Sequence, residues 1–300
     1  MAVMTAWTAA DIPDQTGRVF VVTGANSGLG LVTARELARK GAHVVLACRD
    51  TGRGEDASKD FEGGSHEVRR LDLADLDSVR DFAGQLADWR IETLVNNAGI
   101  MNVPQAKTKQ GFELQFGTNV LGHFLLTNLL LPRLTDRVVT LSSGLHRRGS
   151  IGLEDLNFER RRYNGWRAYG QSKLADLMFA YELQRRLTGA GSSLRSMAAH
   201  PGYAATNLQG HSGGWQDAAM AVLNRIPGIA QGADTGALPT LYAATVPDLP
   251  GGSYIGPSGF NEMSGPPQNV GSSKASHDRD VAERLWAACE EMTGQPFTVG

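Results

Sequence analysis

The sequence predicts an α/β fold, a doubly wound parallel sheet with helices on both faces, on three observations. Strand-like apolar runs alternate with amphipathic helical stretches from Arg18 onward, the pattern of repeated βαβ units. The first run, Arg18-Val19-Phe20-Val21-Val22-Thr23, is too continuously apolar for a strand with one wet face, so both of its faces must be covered. A glycine-rich turn, Thr23-Gly24-Ala25-Asn26-Ser27-Gly28-Leu29-Gly30, then joins it to a helix. With 41% hydrophobic residues in 300, and no Pro/Ser-rich linker, charge block or internal repeat, one domain over 1–300 is expected.

The elements follow in order. Leu29 to Lys40 reads as the first helix, stopped at Gly41. His43 to Cys48, Val68 to Leu71, Ile91 to Asn96, Arg137 to Leu141 and Leu194 to Ala199 supply further strands. Helices near Leu76 to Leu86, Gly111 to Leu131 and Tyr169 to Leu187 lie between them. His211 to Gly271, richer in Gly and Pro, reads as irregular apart from a helix near Ala233 to Ala244. A variable segment at about 205–271 is expected to build a substrate pocket above the strand ends.

Composition excludes several function classes. A net charge of -2 offers no general attraction for nucleic acid or anionic membrane. Arg147-Arg148 and Arg160-Arg161-Arg162 read as exposed surface, the second run as an excursion near the pocket rim. The first residues lack a secretory pattern, and the run Val120 to Leu131 is broken by His123, Thr127 and Asn128, so no membrane anchor is expected. Cys48 and Cys289 form no Cys-x-x-Cys pattern, and His146 and His200 belong to no metal-ligand spacing. No metal is expected, and the cytoplasm is the expected compartment.

The glycine turn lets the backbone approach a pyrophosphate, whose charge meets free N–H groups at the helix start. Its candidate ligands are Gly24, Asn26, Ser27, Gly28, Leu29 and Gly30. About 20 residues on, where an acid would hold a free ribose 2′-hydroxyl, stands Cys48 followed by Arg49, whose guanidinium suits a 2′-phosphate. NADP(H) is therefore preferred, with NAD(H) left open by Asp50, which can pair with Arg49 or cap the next helix. Tyr169 and Lys173, at i and i+4, share a helix face, where the cation can stabilise a phenolate and make the phenol a proton-transfer group. Ser142-Ser143 end a buried strand at the carboxyl edge, where open α/β sheets place ligands. Asn119 breaks a helical pattern in Phe116-Gly117-Thr118-Asn119-Val120-Leu121-Gly122.

The Gly-x3-Gly-x-Gly spacing, Asn96-Asn97-Ala98-Gly99 after a later strand and Tyr169-x3-Lys173 together resemble the short-chain dehydrogenase/reductase family, from about Arg18 to Thr206. Ala47-Cys48-Arg49-Asp50 and Tyr169-Gly170-Gln171-Ser172-Lys173-Leu174-Ala175 look like its retinol-dehydrogenase and protochlorophyllide-reductase branch. The resemblance implies a Rossmann-type domain that transfers hydride between a nicotinamide and a carbonyl or alcohol carbon. By the same resemblance Ser143, rather than Ser142, holds the substrate oxygen and Tyr169 exchanges the proton. Lys173 would bind the ribose and, with the charge of the oxidised nicotinamide, lower the pKa of Tyr169, while Asn119 holds a water behind Lys173. Asp72, Leu73, Asn97, Ala98 and Gly99 would flank the adenine and its ribose, and Pro201, Gly202 and Thr206 the nicotinamide or phosphate end. Two rival readings stay open, a carbon–carbon double-bond reductase and a non-catalytic NADP(H)-binding sensor. The substrate is expected to be a small carbonyl or alcohol compound, lipophilic in one reading, and homo-oligomerisation is left open.

Overall fold

β1 (Val19–Thr23) sends alternate side chains into two apolar layers, Val21 to one and Phe20 and Val22 to the other. That division accounts for its unbroken apolar sequence, because helices lie against both faces of the sheet. The computed structural model describes residues 6–202 and 232–298. Among these residues β1 is followed along the chain by β2 (His43–Cys48), β3 (Ser65–Arg70), β4 (Ile91–Asn96), β5 (Leu134–Leu141), β6 (Arg195–Ala199), β7 (Tyr254–Pro257) and β8 (Pro267–Asn269). In the sheet they stand in the order β3-β2-β1-β4-β5-β6-β7-β8. Neighbours are parallel except β7 with β8. The chain winds outward from β1 to β3 and returns to β4 on the other side of β1. The carboxyl ends of β1 and β4 therefore flank a crevice at a topological switch point.

The main helices among the described residues are α1 (Gly28–Arg39), α2 (Thr51–Ser58), α3 (Leu76–Gln85), α4 (Leu114–Phe116, a π turn at Gly117–Leu121, then Gly122–Leu130), α5 (Gly165–Gly189), α6 (Leu238–Thr245, preceded by a short turn of helix at Ala233–Gly236) and α7 (Arg279–Thr293). α1 and α6 cover one face of the sheet through Leu29, Val32, Leu37 and Leu241. α3, α4, α5 and α7 cover the other through Val79, Phe82, Phe124, Leu174, Met178 and Trp286.

The strands expected from β1 to β6 are all present, with β3 and β5 each starting three residues before the expected position. β3 is partly exposed along its length, so His66, Glu67, Arg69 and Arg70 give it no apolar signature. The helix expected over 111–131 starts at Leu114, because the Glu113 carboxylate caps it through the N–H groups of Gln115 (2.9 Å) and Phe116 (2.6 Å). Part of the stretch expected to be irregular is ordered sheet: Tyr254–Pro257 is buried and extends the ladder beside Ala198 and Ala199, and Pro267–Asn269 turns back against it. Thr206 and the first part of the segment expected at 205–271 lie outside the described residues.

Candidate active site

The crevice is built first by glycines. Gly24 has φ +65°, and a Cβ there would lie 2.9 Å from the Ala98 Cβ. A Cβ on Gly30 would lie 2.4 Å from Asn97 Nδ2 and 2.5 Å from the Gly24 carbonyl oxygen, so the first turn of α1 sits directly on the chain after β4. Hydrogen bonds fix that contact. Thr23 Oγ1 accepts from the N–H groups of Asn97 (3.0 Å) and Ala98 (2.9 Å), and Asn97 Nδ2 donates to the Thr23 carbonyl at 2.7 Å. Ser27 is the N-cap of α1 but makes no side-chain capping bond, so the leading N–H groups of the helix and the Ser27 hydroxyl are available to an anion.

A cleft of about 270 Å³ opens over this turn. Gly24, Asn26, Ser27, Gly28 and Leu29 line one side, and Asn97, Ala98 and Gly99 line the floor. Ser142 and Ser143 after β5, Tyr169 and Lys173 on α5, and Pro201 after β6 complete it. These residues suit a dinucleotide: a glycine cradle and free N–H groups at one end, hydroxyls and an ammonium at the other.

Arg49, Asp72, Leu73 and Gly202, also expected as ligands, are not among the residues that line the cleft. Arg49 is exposed just past β2, and Asp50 is committed to capping α2 through the Arg53 N–H at 3.1 Å. Asp72 accepts from the Ala74 N–H at 3.0 Å and so shapes a turn, and the Leu73 carbonyl backs onto Gly122. Gly202, with φ +69°, is pressed against the carbonyls of Met263 and Glu262.

α5 carries the proton-handling groups. Asn164 caps it through the Arg167 N–H at 3.0 Å, and the helix then runs unbroken through Tyr169 and Lys173. Tyr169 and Ser143 line the cleft together, and the Ser143 side chain favours the ionised form of the phenol. Ser142 turns away and donates to the Lys173 carbonyl at 2.7 Å, so of the two serines it is Ser143 that acts on the phenol. The Lys173 ammonium lies 5.8 Å from the centre of the Tyr169 ring and donates to the Leu141 carbonyl (2.9 Å) and Asp176 Oδ2 (2.8 Å).

Charge balance sets the resting state of the pair without a cofactor. Burial raises the Tyr169 pKa, and the opposing pull of Lys173 and the Ser143 side chain does not bring it below the ordinary tyrosine range. The protein alone therefore keeps the phenol protonated. Burial works to lower the Lys173 pKa, but Asp176 and Tyr169 outweigh it and hold the ammonium above its usual range.

Asn119 is buried, with its side chain bonded to neighbouring groups. Its Oδ1 accepts from the Ile100 N–H (2.9 Å), and its two amide hydrogens go to the Ile100 carbonyl (3.0 Å) and Ser172 Oγ (2.9 Å). With both hydrogens taken, the side chain ties the chain after β4 to α5. His146 and His200 pack beneath the site. His146 lies 2.8 Å from the Ser143 carbonyl and against the Tyr254 ring, while His200 lies 3.2 Å from Glu262 Oε2.

Sequence reasoning missed two groups. His123 lies between Thr23 Oγ1 and the Asn119 carbonyl, 2.9 Å from each, and burial drives its pKa down to about 3. A carbonyl can only accept, so Nδ1 carries the proton and Nε2 takes the Thr23 hydroxyl hydrogen. Asp176 is the other, and its only sequence signal is its place three residues after Lys173, on the same helix face.

Comparisons with known proteins agree with this architecture. The short chain dehydrogenase family model matches residues 18–217. Human retinol dehydrogenase 13 is 41% identical over 292 residues, which cover 93% of this chain and 85% of that protein. Mouse polyprenol dehydrogenase is 40% identical over 299 residues, covering 94% and 86%. A crystal structure of an uncharacterized protein from Mycobacterium paratuberculosis is 54% identical and superposes with a TM-score of 0.85, covering 98% of this chain and 100% of that one. The glycine turn at the switch point, the sheet order and these matches place the chain in the short-chain dehydrogenase/reductase family of oxidoreductases.

Proposed function

We propose that the protein is an NADP(H)-dependent oxidoreductase that interconverts a lipophilic alcohol and its carbonyl compound at the Ser143, Tyr169 and Lys173 cluster. The observation that carries this reading is that Ser143, Tyr169 and the buried Lys173 ammonium line one cleft together with the glycine turn. Both hydroxyls can meet one substrate oxygen. In reduction Ser143 holds the carbonyl oxygen and Tyr169 donates its proton to the alkoxide that forms there. Lys173 then faces the phenolate left behind and stabilises it. A bound nicotinamide supplies the hydride chemistry, and the glycine turn with Ser27 and the α1 N–H groups would hold its phosphates. The raised pKa of Tyr169 suits the reductive direction, in which the phenol must start protonated. Oxidation needs the phenolate, so its rate rises with pH.

Arg49 supports NADP(H) over NAD(H). It follows β2 where a 2′-phosphate would lie, and Asp50, the one acid beside it in sequence, is occupied by the start of α2. The lipophilic substrate class rests on the retinol and polyprenol dehydrogenases among the relatives. A panel of retinoid, prenoid and short-chain aldehydes, read by loss of reduced-cofactor absorbance, tests the substrate class. Turnover confined to short polar aldehydes would contradict it. Arg49→Ala is expected to weaken NADPH on the order of tenfold or more and to leave NADH nearly unchanged, because only NADPH loses a charge-assisted pair. Equal losses in titrations of the two cofactors would overturn the assignment.

A further inference from the structure

Lys173 is held by two acceptors of different character. The Leu141 carbonyl at 2.9 Å belongs to β5 and carries only a dipole, whereas Asp176 Oδ2 at 2.8 Å carries a full charge. Both members of this ion pair are buried, with side-chain exposures of 6% and 3%. An ammonium has three donors, and two of the three are aimed into the protein, so the third is left for the cleft that Lys173 lines. Tyr169, Lys173 and Asp176 follow one another at i, i+4 and i+7, along a single face of α5. The other titratable groups that feel this pair are His123 on α4, kept neutral by burial, and Cys289 on α7, whose thiol is held protonated by burial and by the Asp176 charge. Neither brings a competing charge, so Asp176 is the compensating anion of the site among the described residues.

We propose that Asp176 is a positioning residue for proton transfer: its carboxylate holds the Lys173 ammonium in a buried ion pair along one face of α5 and so aims the remaining donor at the cleft beside Tyr169. This rests on the roles proposed above for Tyr169 and Lys173. The charge balance agrees with it. Burial pushes the Asp176 carboxyl up to about 6, against the pull of Lys173, so it is ionised at neutral pH, and its charge opposes ionisation of the Tyr169 phenol. A buried ion pair of this kind adds little net stability, which leaves control of charge as what it contributes here.

Asp176→Asn keeps the shape and an acceptor for the ammonium while removing the charge, and Asp176→Glu keeps the charge. The Tyr169 titration is followed by ring-carbon NMR of isotope-labelled tyrosine, assigned by its loss in Tyr169→Phe, in the unliganded protein and again with NADP+. The pH profile of all-trans-retinol oxidation is measured in parallel. Asp176→Asn is expected to move the Tyr169 titration and the rising limb of the profile to lower pH by about one unit, with Asp176→Glu returning both toward wild type. An unmoved or upward-shifted titration in Asp176→Asn, or a Glu variant shifted as far as the Asn variant, would overturn the proposal. Full turnover in Tyr169→Phe would instead sink the functional reading, so the two failures are distinguishable.

Discussion

His123 shows how one buried ring joins the two halves of the site. It accepts from Thr23, which braces the chain after β4, and donates to the Asn119 carbonyl at the π turn of α4. Its native pKa is near 3, against an ordinary value of 6.5, so on acidification the unfolded chain takes up a proton that the native protein refuses. Stability must then fall as pH drops below about 6.5, with a slope of about 1.4 kcal/mol per pH unit for each such group. His146, lowered to about 4 by burial, acts in the same direction. Urea unfolding across pH 7 to 4 should show this loss. His123→Gln should be less stable than wild type at pH 7 but should lose about one proton's worth of the slope, and an unchanged slope would contradict the assignment. Asp176 is the counter-example, a carboxyl raised to about 6 that binds its proton more readily in the native state and so opposes the histidines as pH falls through that value.

Elements were legible where periodicity and punctuation coincide. β1, the glycine turn and α1 could be read off because a doubly covered strand is apolar throughout and the turn needs positive φ at Gly24 and Gly28. α2 had no such signature: Gly52 and Gly54 are poor helix formers, yet a Cβ on Gly54 would lie 2.7 Å from Val68 Cγ1, so packing decides. β7 is a buried four-residue strand, Tyr-Ile-Gly-Pro, recruited by the edge of β6; Tyr254 and Ile255 favour a strand, but Gly256 and Pro257 cut the run too short to read as one. The π turn in α4 was visible only as a rule broken at Asn119. The junction of α1 with the chain after β4 allows a test. Gly30→Ala places its Cβ against backbone as well as Asn97, and overpacking of this kind costs about 1–3 kcal/mol. The expected result is a lower Tm by calorimetry together with roughly tenfold or greater loss of NADPH affinity. Wild-type values for both would show that the turn tolerates the methyl group.

At the scale of the molecule, the sheet divides the labour between its faces. α1 brings the anion-binding turn from one layer, while α4 and α5 bring Asn119, Tyr169 and Lys173 from the other, and they meet over the ends of β1, β4 and β5. Ser143, Tyr169 and Lys173 were readable because each sits at a marked place, a strand end or a helix spacing. Asp176 and His123 were not, because what they do depends on contacts between elements. α7 seals the second layer with Trp286, whose ring centre lies 4.9 Å from that of Phe124 and 5.6 Å from that of Phe179. Trp286→Ala should cost about 3–5 kcal/mol in urea unfolding while KM for NADPH stays within about twofold, since no cleft residue lies on α7. A stability loss under about 1 kcal/mol would mean that α7 is not part of the cooperative core. The central claim, that Tyr169 moves the proton in a hydride-transfer site, is met most directly by one variant. For Tyr169→Phe, measured with NADPH and all-trans-retinal, we expect NADPH affinity within about twofold of wild type and turnover reduced roughly a thousandfold. Turnover near the wild-type rate would contradict it.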